Sequence, residues 1–530
     1  MRDFQLPGRS PAQGANGMAC TSHPEATRVA FEVLRDGGNA VDAAIAAVAV
    51  LGVVEPQSNG IGGDCFALYA PKGKVPPIAL NGSGRAPKAA TIDYYLERSI
   101  PSIGFQSAHA VTVPGAVAAW SKLLKDHGTK SLAELLRPAI RLAADGYVVY
   151  SRIGEDWARN HDKLSACPNA KRIFLPKGKA PAAGTIHRQP ELAATLSAIA
   201  KKGRDAFYAG AVADDIVSYV RSHGGLLSHD DLAEYDAEYV TPIKTRYRGR
   251  DIYECPPNGQ GLIALIILNI LAGFDLEGLD PHGAERFHLE AEATRLAYRD
   301  RNAFLADPTR AKVPVKHLLS GGYAKALQGI IDPKRAMAEL PPPGLPEHKD
   351  TVYLCVVDKE RNALSFINST FHNFGSGLCT PKSGVMLQNR GASFVVNDRK
   401  HPNAIAPGKR PMHTIIPGMM GEGARCVMPF GVMGGHFQAT GHAHFVTNVL
   451  DFGMDVQEAL DSPRAFHFDN VLEAERGISA KTLGRLVKMG HHVVEAELPH
   501  GGGQAIKIDW KEGVLTGGSD PRKDGAAIGY

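Results

Sequence analysis

The sequence has few cysteines, no long apolar run and almost no excess charge. Its 530 residues include 7 cysteines, and no two of these form a C-x-x-C pair. Scattered cysteines predict reduced, buried thiols rather than a disulfide framework, which favours a cytoplasmic protein. The 59 basic and 55 acidic residues give a net charge of +4. A charge this small gives no reason to expect nucleic acid or an anionic membrane as a partner.

Segments that would direct the chain to a membrane are also missing. The most apolar run, Ala43 to Val54, is shorter than a membrane span and predicts a buried helix. The first ten residues lack the apolar stretch that a secretory signal needs. We therefore expect a protein that is made in the cytoplasm and has no membrane partner. Apolar residues make up 44% and charged residues 22% of the chain, as in ordinary globular proteins.

Helical patterns dominate the first 350 residues, and strand patterns with interleaved helices follow. The predicted helices include Ala26 to Arg35, Ala40 to Leu51, Pro114 to Leu124, Leu132 to Asp145, Asp205 to Ser222, Leu262 to Leu271 and Ala284 to Phe304. The predicted strands are Thr351 to Val357, Ala363 to Asn368, Phe394 to Val396, Cys426 to Met433 and Ala505 to Ile508. Such a combination favours a layered fold of sheets and helices.

The segment 340–350 is rich in proline and leads directly into Thr351. It cannot join a helix or a central strand, so we expect an exposed junction that is open to cleavage. The alternation that begins at Thr351 predicts a half-buried strand. A cut between Asp350 and Thr351 would place a free amine and a hydroxyl on one residue, which makes a nucleophile with its own base.

Several motifs along the chain together resemble the γ-glutamyltransferase family of N-terminal nucleophile hydrolases. They are Gly37-Gly-Asn-Ala-Val-Asp-Ala-Ala44, Glu55-Pro-Gln-Ser-Asn-Gly-Ile-Gly-Gly63, Val113-Pro-Gly115, Arg137-Pro-Ala-Ile-Arg-Leu-Ala-Ala-Asp-Gly146, Asp300-Arg-Asn302, Lys409-Arg-Pro411, Gly434-Gly435 and Ser519-Asp-Pro-Arg522. The set is specific and runs nearly from end to end, although each motif alone is not. The resemblance implies an α+β fold, a four-layer αββα sandwich.

The same resemblance implies cleavage before Thr351 and a role for three further residues. It divides the chain into a large fragment, 1–350, and a small fragment, 351–530, that stay associated as one αββα unit. Thr351 would be the nucleophile, and Ser369 would hold its hydroxyl. The backbone N–H groups of Gly434 and Gly435 would stabilise the oxyanion, where one such donor contributes about 3–4 kcal/mol.

The expected carboxylate ligands of the family are altered in this sequence. Family members that act on γ-glutamyl groups hold the α-carboxylate with an arginine, but Ser83 stands at that position and Arg85 lies two residues later. Two serines that serve the same carboxylate are replaced by His413 and Thr414. We predict that Arg85, His413 and Thr414 still bind substrate, with a changed preference.

The ligands of the substrate's α-amino group are altered as well. The asparagine and aspartate of the family fall on Phe371 and Ser393, and Arg390 replaces a glutamine. An arginine without a carboxylate partner favours an anion that carries no amine. We therefore predict substrate binding by Arg390 and Ser393, in the manner of the divergent branch that includes oxamate amidohydrolase and cephalosporin acylases.

The resulting prediction is an autoprocessing hydrolase of small carboxylate-bearing amides. Oxamate-like compounds are the leading candidates for its substrate. A γ-glutamyltransferase or glutathione hydrolase is the alternative, and an inactive binding homologue is the third hypothesis. Besides the substrate, the expected partners are the two fragments themselves, with a homodimer of such heterodimers left open. Neither Ile61-Gly-Gly63 nor Gly259-Gln-Gly261 is followed by lysine and serine, so no nucleotide cofactor is expected.

Histidine spacing gives little sign of a metal site. His288 and Glu292 share a helix face, and His442 and His444 alternate, but neither pair completes a ligand set. The histidines at 491 and 492 are expected at the surface or in a sheet. The sequence therefore predicts no metal and no cofactor.

Overall fold

The computed structural model describes residues 8–338 and 352–530. Its strands in chain order are β1 Ala12–Gly14, β2 Met18–Thr21, β3 Asp64–Ala70, β4 Ile78–Gly82, β5 Tyr147–Val148, β6 Ile186–His187, β7 Glu238–Val240, β8 Ile243–Tyr247, β9 Arg250–Glu254, β10 Val352–Val357, β11 Ala363–Ser369, β12 Gly418–Glu422, β13 Arg425–Met433, β14 Ala465–Phe468, β15 Val471–Ala474, β16 Val493–Glu495, β17 Gly502–Asp509, β18 Val514–Ser519 and β19 Ala526–Gly529.

The helices of the same residues lie mostly in the first part of the chain. They are α1 Pro24–Arg35, α2 Ala40–Val54, α3 Ile92–Glu97, α4 Ala116–His127, α5 Leu132–Asp145, α6 Ser151–Arg159, α7 His161–Ser165, α8 Pro168–Phe174, α9 Pro190–Lys202, α10 Asp205–Tyr208, α11 Ala211–Ser222, α12 His229–Ala233, α13 Gly261–Leu271, α14 Ala284–Phe304, α15 Val315–Leu318, α16 Gly321–Gln328, α17 Gln438–Leu450, α18 Val456–Asp461 and α19 Ala480–Lys488.

Two seven-stranded antiparallel sheets form the centre of the fold. Sheet I has the order β1-β18-β17-β13-β12-β9-β8, and sheet II has the order β19-β2-β10-β11-β3-β4-β7. Side chains such as Phe66 and Tyr353 of sheet II and Met419 and Ile506 of sheet I form one buried cluster between the sheets. The Ser365 hydroxyl donates to the Phe430 carbonyl at 3.2 Å and joins the sheets directly.

Helices cover the outer face of each sheet. The apolar helix α2 is buried along its whole length, in a cluster that includes Leu354 and Val356 of sheet II. Helices α13, α14 and α17 share a second cluster with Phe430 and Val432 of sheet I. The layers are therefore helix, sheet, sheet and helix, which confirms the predicted αββα architecture.

Strand β10 is buried on both faces, so the prediction of a half-buried strand is wrong. Val352, Leu354 and Val356 point into the helix-covered cluster, while Tyr353 and Cys355 point between the sheets. Alternation of residue types could not show this, because in an αββα sandwich both faces of a central strand are covered.

The other predicted helices and strands within the described residues are present, some with shifted ends, apart from two. Residues 205–222 form two helices, α10 and α11, because the chain turns at Gly210 with φ of 74°. Phe394 to Val396 is not a strand, since Val395 makes only an isolated bridge to Ala404.

Each large sheet combines strands from both sides of residue 350. Sheet II takes β2, β3, β4 and β7 from the first part and β10, β11 and β19 from the second. Sheet I likewise pairs β9 with β12 and β1 with β18. The helical patterns that dominate the first 350 residues therefore conceal strands at the centre of the fold.

The structure also bears on the predicted thiols and on the search for a membrane-spanning helix. All seven cysteines are free and buried. Within residues 8–338 and 352–530, every helix is too short or too polar to cross a bilayer.

Glu55, which follows α2, is a buried acid near the charged groups of Lys523, Asp524 and Asp156. Its side chain accepts a hydrogen bond from the Ser22 hydroxyl at 2.7 Å, and Glu55 is 3% exposed. Burial raises the pKa of Glu55 to about 7 despite this bond. The folded protein therefore holds a proton here that the unfolded chain releases at lower pH.

We expect Glu55 to make the folded state less stable as the pH rises. Its stabilising contribution is complete below the pKa of the unfolded chain and is lost as the pH approaches about 7, by up to about 3 kcal/mol. In the neutral variant Glu55→Gln the melting temperature should fall less steeply than in the wild type between about pH 5 and pH 8. The exposed Glu97→Gln is the matched control and should melt like the wild type. An unchanged pH slope in Glu55→Gln would contradict this assignment.

Candidate functional site

The ladder between β10 and β11 sets the position of Val352, the second residue of the proposed small fragment. Val352 is paired with Asn368, the residue before Ser369. The predicted cleavage residues Asp350 and Thr351 lie outside the described residues, so their roles stay predictions. The part of the site that can be described lies around Ser369, at the end of β11.

Ser369 is linked to Arg390 through Phe371. The Ser369 hydroxyl, which is fully buried, accepts a hydrogen bond from the Phe371 N–H at 2.9 Å. Phe371 has φ of 83°, which is uncommon for a bulky residue. Its ring lies 3.7 Å from the guanidinium carbon of Arg390. Phe371 thus contacts both the Arg390 cation and Ser369, the predicted partner of the nucleophile.

The Arg390 guanidinium is buried and only partly paired. Its Nη1 donates to the Thr414 hydroxyl at 2.8 Å, while its Nε and Nη2 have no hydrogen-bond partner among the described residues. Burial lowers the pKa of Arg390 to about 9, and the charge of Asp64 opposes this shift. At neutral pH Arg390 is thus a cation with two donor nitrogens that have no partner among the described residues, the arrangement that receives a carboxylate.

Gln260 connects Thr414 to the glycine pair. Its side-chain amide lies 2.9 Å from the backbone carbonyls of both Thr414 and Gly435. Gln260 is fully buried and precedes α13. The Gln260 side chain therefore fixes Thr414, which contacts Arg390, relative to Gly435 of the predicted oxyanion site.

The glycine pair follows β13 in a conformation that suits glycine. Gly434 and Gly435 have φ of 123° and 57°. A side chain on Gly434 would come within 2.8 Å of the Gly501 Cα. Gly434 therefore needs glycine and the φ of Gly435 favours it, which agrees with the predicted use of their backbone N–H groups but does not test it.

His413 is bound to a carboxylate that the sequence analysis did not include. Its Nε2 lies 3.0 Å from Asp64 Oδ2, and its Nδ1 accepts from the Ile415 N–H at 3.3 Å. The proton therefore lies on Nε2. Burial and the nearby Arg390 hold the pKa of His413 well below its usual value. His413 is thus a neutral imidazole, and the expectation of cations without a carboxylate is wrong.

Asp64 already accepts several hydrogen bonds. Its Oδ1 takes the Gly84 N–H at 2.9 Å, the Gly115 N–H at 3.1 Å and the Gln388 amide at 2.8 Å. Burial raises the pKa of Asp64 to about 6, although Arg390 and these bonds lower it in part. Because both oxygens are in use, Asp64 is poorly placed to receive a substrate ammonium.

Arg85 belongs to a separate ionic cluster. Its guanidinium donates to the Gly408 carbonyl at 3.0 Å and lies 3.9 Å from both Glu238 and Asp307. Burial and the neighbouring Arg410 lower the pKa of Arg85. Substrate binding by Arg85 stays a prediction, but its charge is already opposed by two carboxylates.

Ser393 and Ser83 bond to the surrounding chain. The Ser393 hydroxyl lies 2.8 Å from the Arg390 and Met412 carbonyls, so it fixes the turn that carries Arg390. The Ser83 hydroxyl accepts from the Asn258 side-chain amide at 3.0 Å. These contacts give both hydroxyls a structural use, and substrate binding by Ser393 stays a prediction.

Sequence reasoning missed Asp64, Gln260 and the neighbours of His491. Asp64 directly follows the glycine motif Ile61-Gly-Gly63, and Gln260 lies within Gly259-Gln-Gly261. Their position at these two motifs was the available signal. His491 is 5% exposed and precedes β16, so the prediction that it lies at the surface or in a sheet is wrong, whereas His492 is exposed. The ring of His491 lies against His288, and no sequence spacing indicates that contact.

Comparison with known proteins places this site in a family. The family model described as Gamma-glutamyltranspeptidase matches residues 26–530. A glutathione hydrolase-like proenzyme of Bacillus subtilis is 38% identical over 527 residues, covering 97% of this chain and 99% of that relative. An oxamate amidohydrolase proenzyme of Klebsiella pneumoniae is 35% identical over 529 residues, with coverage of 97% and 98%.

A solved structure gives the same result. The crystal structure of a cephalosporin acylase from Bacillus halodurans is 39% identical and superposes with a TM-score of 0.93, covering 100% of this chain and 99% of that chain. The agreement extends over the sheets, the helical layers and nearly the whole sequence. This chain therefore belongs to the gamma-glutamyltranspeptidase family of hydrolases and transferases.

Proposed function

We propose that this protein is an autoprocessing amidohydrolase that acts on small amides bearing a carboxylate, with oxamate-like compounds first. The observation that carries the proposal is the buried Arg390 guanidinium, whose Nε and Nη2 have no partner among the described residues. A substrate carboxylate would accept from these two nitrogens in a bidentate manner.

The proposed chemistry begins with a cut between Asp350 and Thr351. The names of the two relatives, both proenzymes, support processing of one precursor. The free α-amine of Thr351, with a pKa near ~8, would take the proton of its own hydroxyl. The hydroxyl oxygen then attacks the amide carbonyl, the amine leaves with a proton, and water hydrolyses the acyl-enzyme.

The polar groups near Arg390 argue against an α-amino substrate. A γ-glutamyl group carries an ammonium that needs an acceptor, but Phe371 presents an aromatic ring to Arg390. The Ser393 hydroxyl is engaged with backbone carbonyls, and Asp64 accepts hydrogen bonds at both oxygens. A substrate with a carboxylate and without an amine leaves no unpaired ammonium in this pocket.

Processing has a direct test in Thr351→Ala. We expect the purified wild type to give two bands on a denaturing gel, with the smaller fragment beginning Thr-Val-Tyr-Leu on N-terminal sequencing. The alanine variant lacks the hydroxyl nucleophile and should stay one chain without activity. Thr370→Ala is a matched control at a buried threonine and should still be cut. A fully active wild type that remains one chain would refute the proposed mechanism.

Substrate class is tested by comparing wild type with Arg390→Gln. Wild type should release ammonia from oxamate faster than it cleaves a γ-glutamyl anilide with or without glycylglycine. The glutamine variant loses the charged bonds to the carboxylate, so kcat/KM for the anionic amide should fall roughly 10–100-fold. A neutral amide of the same size should change less than about 3-fold, because it does not use that charge.

Arg85→Gln is the control for this comparison. Arg85 is already opposed by Glu238 and Asp307, so its loss should affect anionic and neutral amides alike. A selective loss in Arg85→Gln, with none in Arg390→Gln, would move the carboxylate site to Arg85. Faster cleavage of the γ-glutamyl anilide would instead favour a glutathione hydrolase.

Anion binding should weaken as the pH rises. Asp64, with a pKa of about 6, becomes negative first, and Arg390, with a pKa of about 9, loses its charge later. The inhibition constant of a small carboxylate that stays ionised should therefore increase in a lower step due to Asp64 and in an upper step due to Arg390 and the Thr351 amine. Asp64→Asn should remove the lower step and keep the upper one. A constant that does not change between about pH 5 and pH 10 would contradict this charge assignment.

A further inference from the structure

Two histidines and a glutamate converge in the interior, on the helical layer next to sheet I. His288 and Glu292 are one turn apart on α14, and His491 lies in the loop between α19 and β16. His288 and Glu292 are 0% exposed and His491 is 5% exposed. One ligand atom from each residue lies within 4.8 Å of those from the other two.

The backbone orients His288 as a ligand. His288 Nε2 lies 2.8 Å from the Asp332 carbonyl, so this nitrogen carries the proton and Nδ1 is an acceptor. That Nδ1 accepts a hydrogen bond from His491 Nε2 at 2.8 Å, and an ion bound between the two nitrogens would move this proton to Nδ1 of His491. A ring N–H bonded to a backbone carbonyl is the usual support of a metal-binding histidine.

The other two side chains are also positioned. Glu292 Oε2 accepts the Met337 N–H at 2.8 Å, and Oε1 accepts from Arg295 at 2.7 Å. His491 Nδ1 is buried and has no hydrogen-bond partner among the described residues. The carboxylate is thus held in place, while one imidazole has an unsatisfied nitrogen.

We propose that His288, Glu292 and His491 bind one divalent ion of the zinc class, with water as the fourth ligand. Zn–N bonds of about 2.0–2.1 Å require the two ring nitrogens to separate to about 3.3 Å, a small change from their present contact. Two imidazoles favour zinc, cobalt or nickel over calcium and magnesium, which prefer oxygen ligands. The Arg295 guanidinium offsets the negative charge of Glu292. An ion that is held mainly by charge attraction, such as calcium or magnesium, is therefore further disfavoured.

The ion would join parts of the chain on both sides of residue 350. His288 and Glu292 belong to the proposed large fragment, and His491 belongs to the small one. The same two residues of α14 contact Asp332 and Met337, which precede the proposed junction in the sequence. The link between fragments depends on the proposed cleavage, but binding of the ion does not.

The test uses tag-free protein, stripped with a chelator and titrated with Zn²⁺ or Co²⁺ alone. Wild type should bind one ion per chain, show visible ligand-field bands with Co²⁺ and melt at a higher temperature with Zn²⁺. His288→Asn and His491→Asn should each lose at least about 100-fold in affinity, because each removes a ligand. The adjacent, exposed His492→Asn is the matched control and should bind as wild type does.

Two further measurements keep the proposal open to refutation if a histidine variant fails to fold. X-ray absorption of the wild-type Co²⁺ protein should show nitrogen ligation, and Glu292→Gln should weaken binding. Thr351→Ala should bind with wild-type stoichiometry, which separates this site from the proposed function. The proposal is overturned if wild type binds no stoichiometric ion, or if His492→Asn loses the ion while His491→Asn keeps it.

Discussion

The antiparallel pairing of β10 with β11 is the constraint on which the site depends. Because Val352 is opposite Asn368 in the centre of sheet II, the chain enters the core directly beside Ser369. Both faces of β10 are covered, so the strand cannot shift by one residue without moving all its buried side chains to the opposite face. The position of Val352, the first described residue of this strand, is therefore set by packing.

A series of short contacts connects that position to the rest of the site. Ser369 bonds to Phe371, Phe371 stacks on Arg390, and Arg390 bonds to Thr414. Gln260 then joins Thr414 to Gly435. The residues come from both sheets and from the loops at their ends, so the groups proposed for attack and for substrate recognition are fixed relative to one another. This fixed relation is what an acyl transfer needs.

The sequence alone predicts the family fold and most of the residues near Arg390, because the motifs occur in fixed order along the whole chain. It does not predict the pairing of charges. His413 and Arg85 look like free cations, yet Asp64 bonds to one and Glu238 and Asp307 oppose the other. These partners lie more than one hundred residues away in several cases, and only tertiary structure brings them together. The contact of His288 with His491 has the same origin.

Each large sheet contains strands that come from both sides of residue 350 in the sequence. An uncut chain can form these ladders within one molecule. Once the chain has been cut as proposed, denaturation releases two separate polypeptides that must find each other before either sheet can close. Recovery of the mature form after denaturation then becomes second order in protein concentration, whereas the precursor refolds in a single-molecule reaction. The persistence of the cut form would accordingly depend on its rate of unfolding rather than on reassembly.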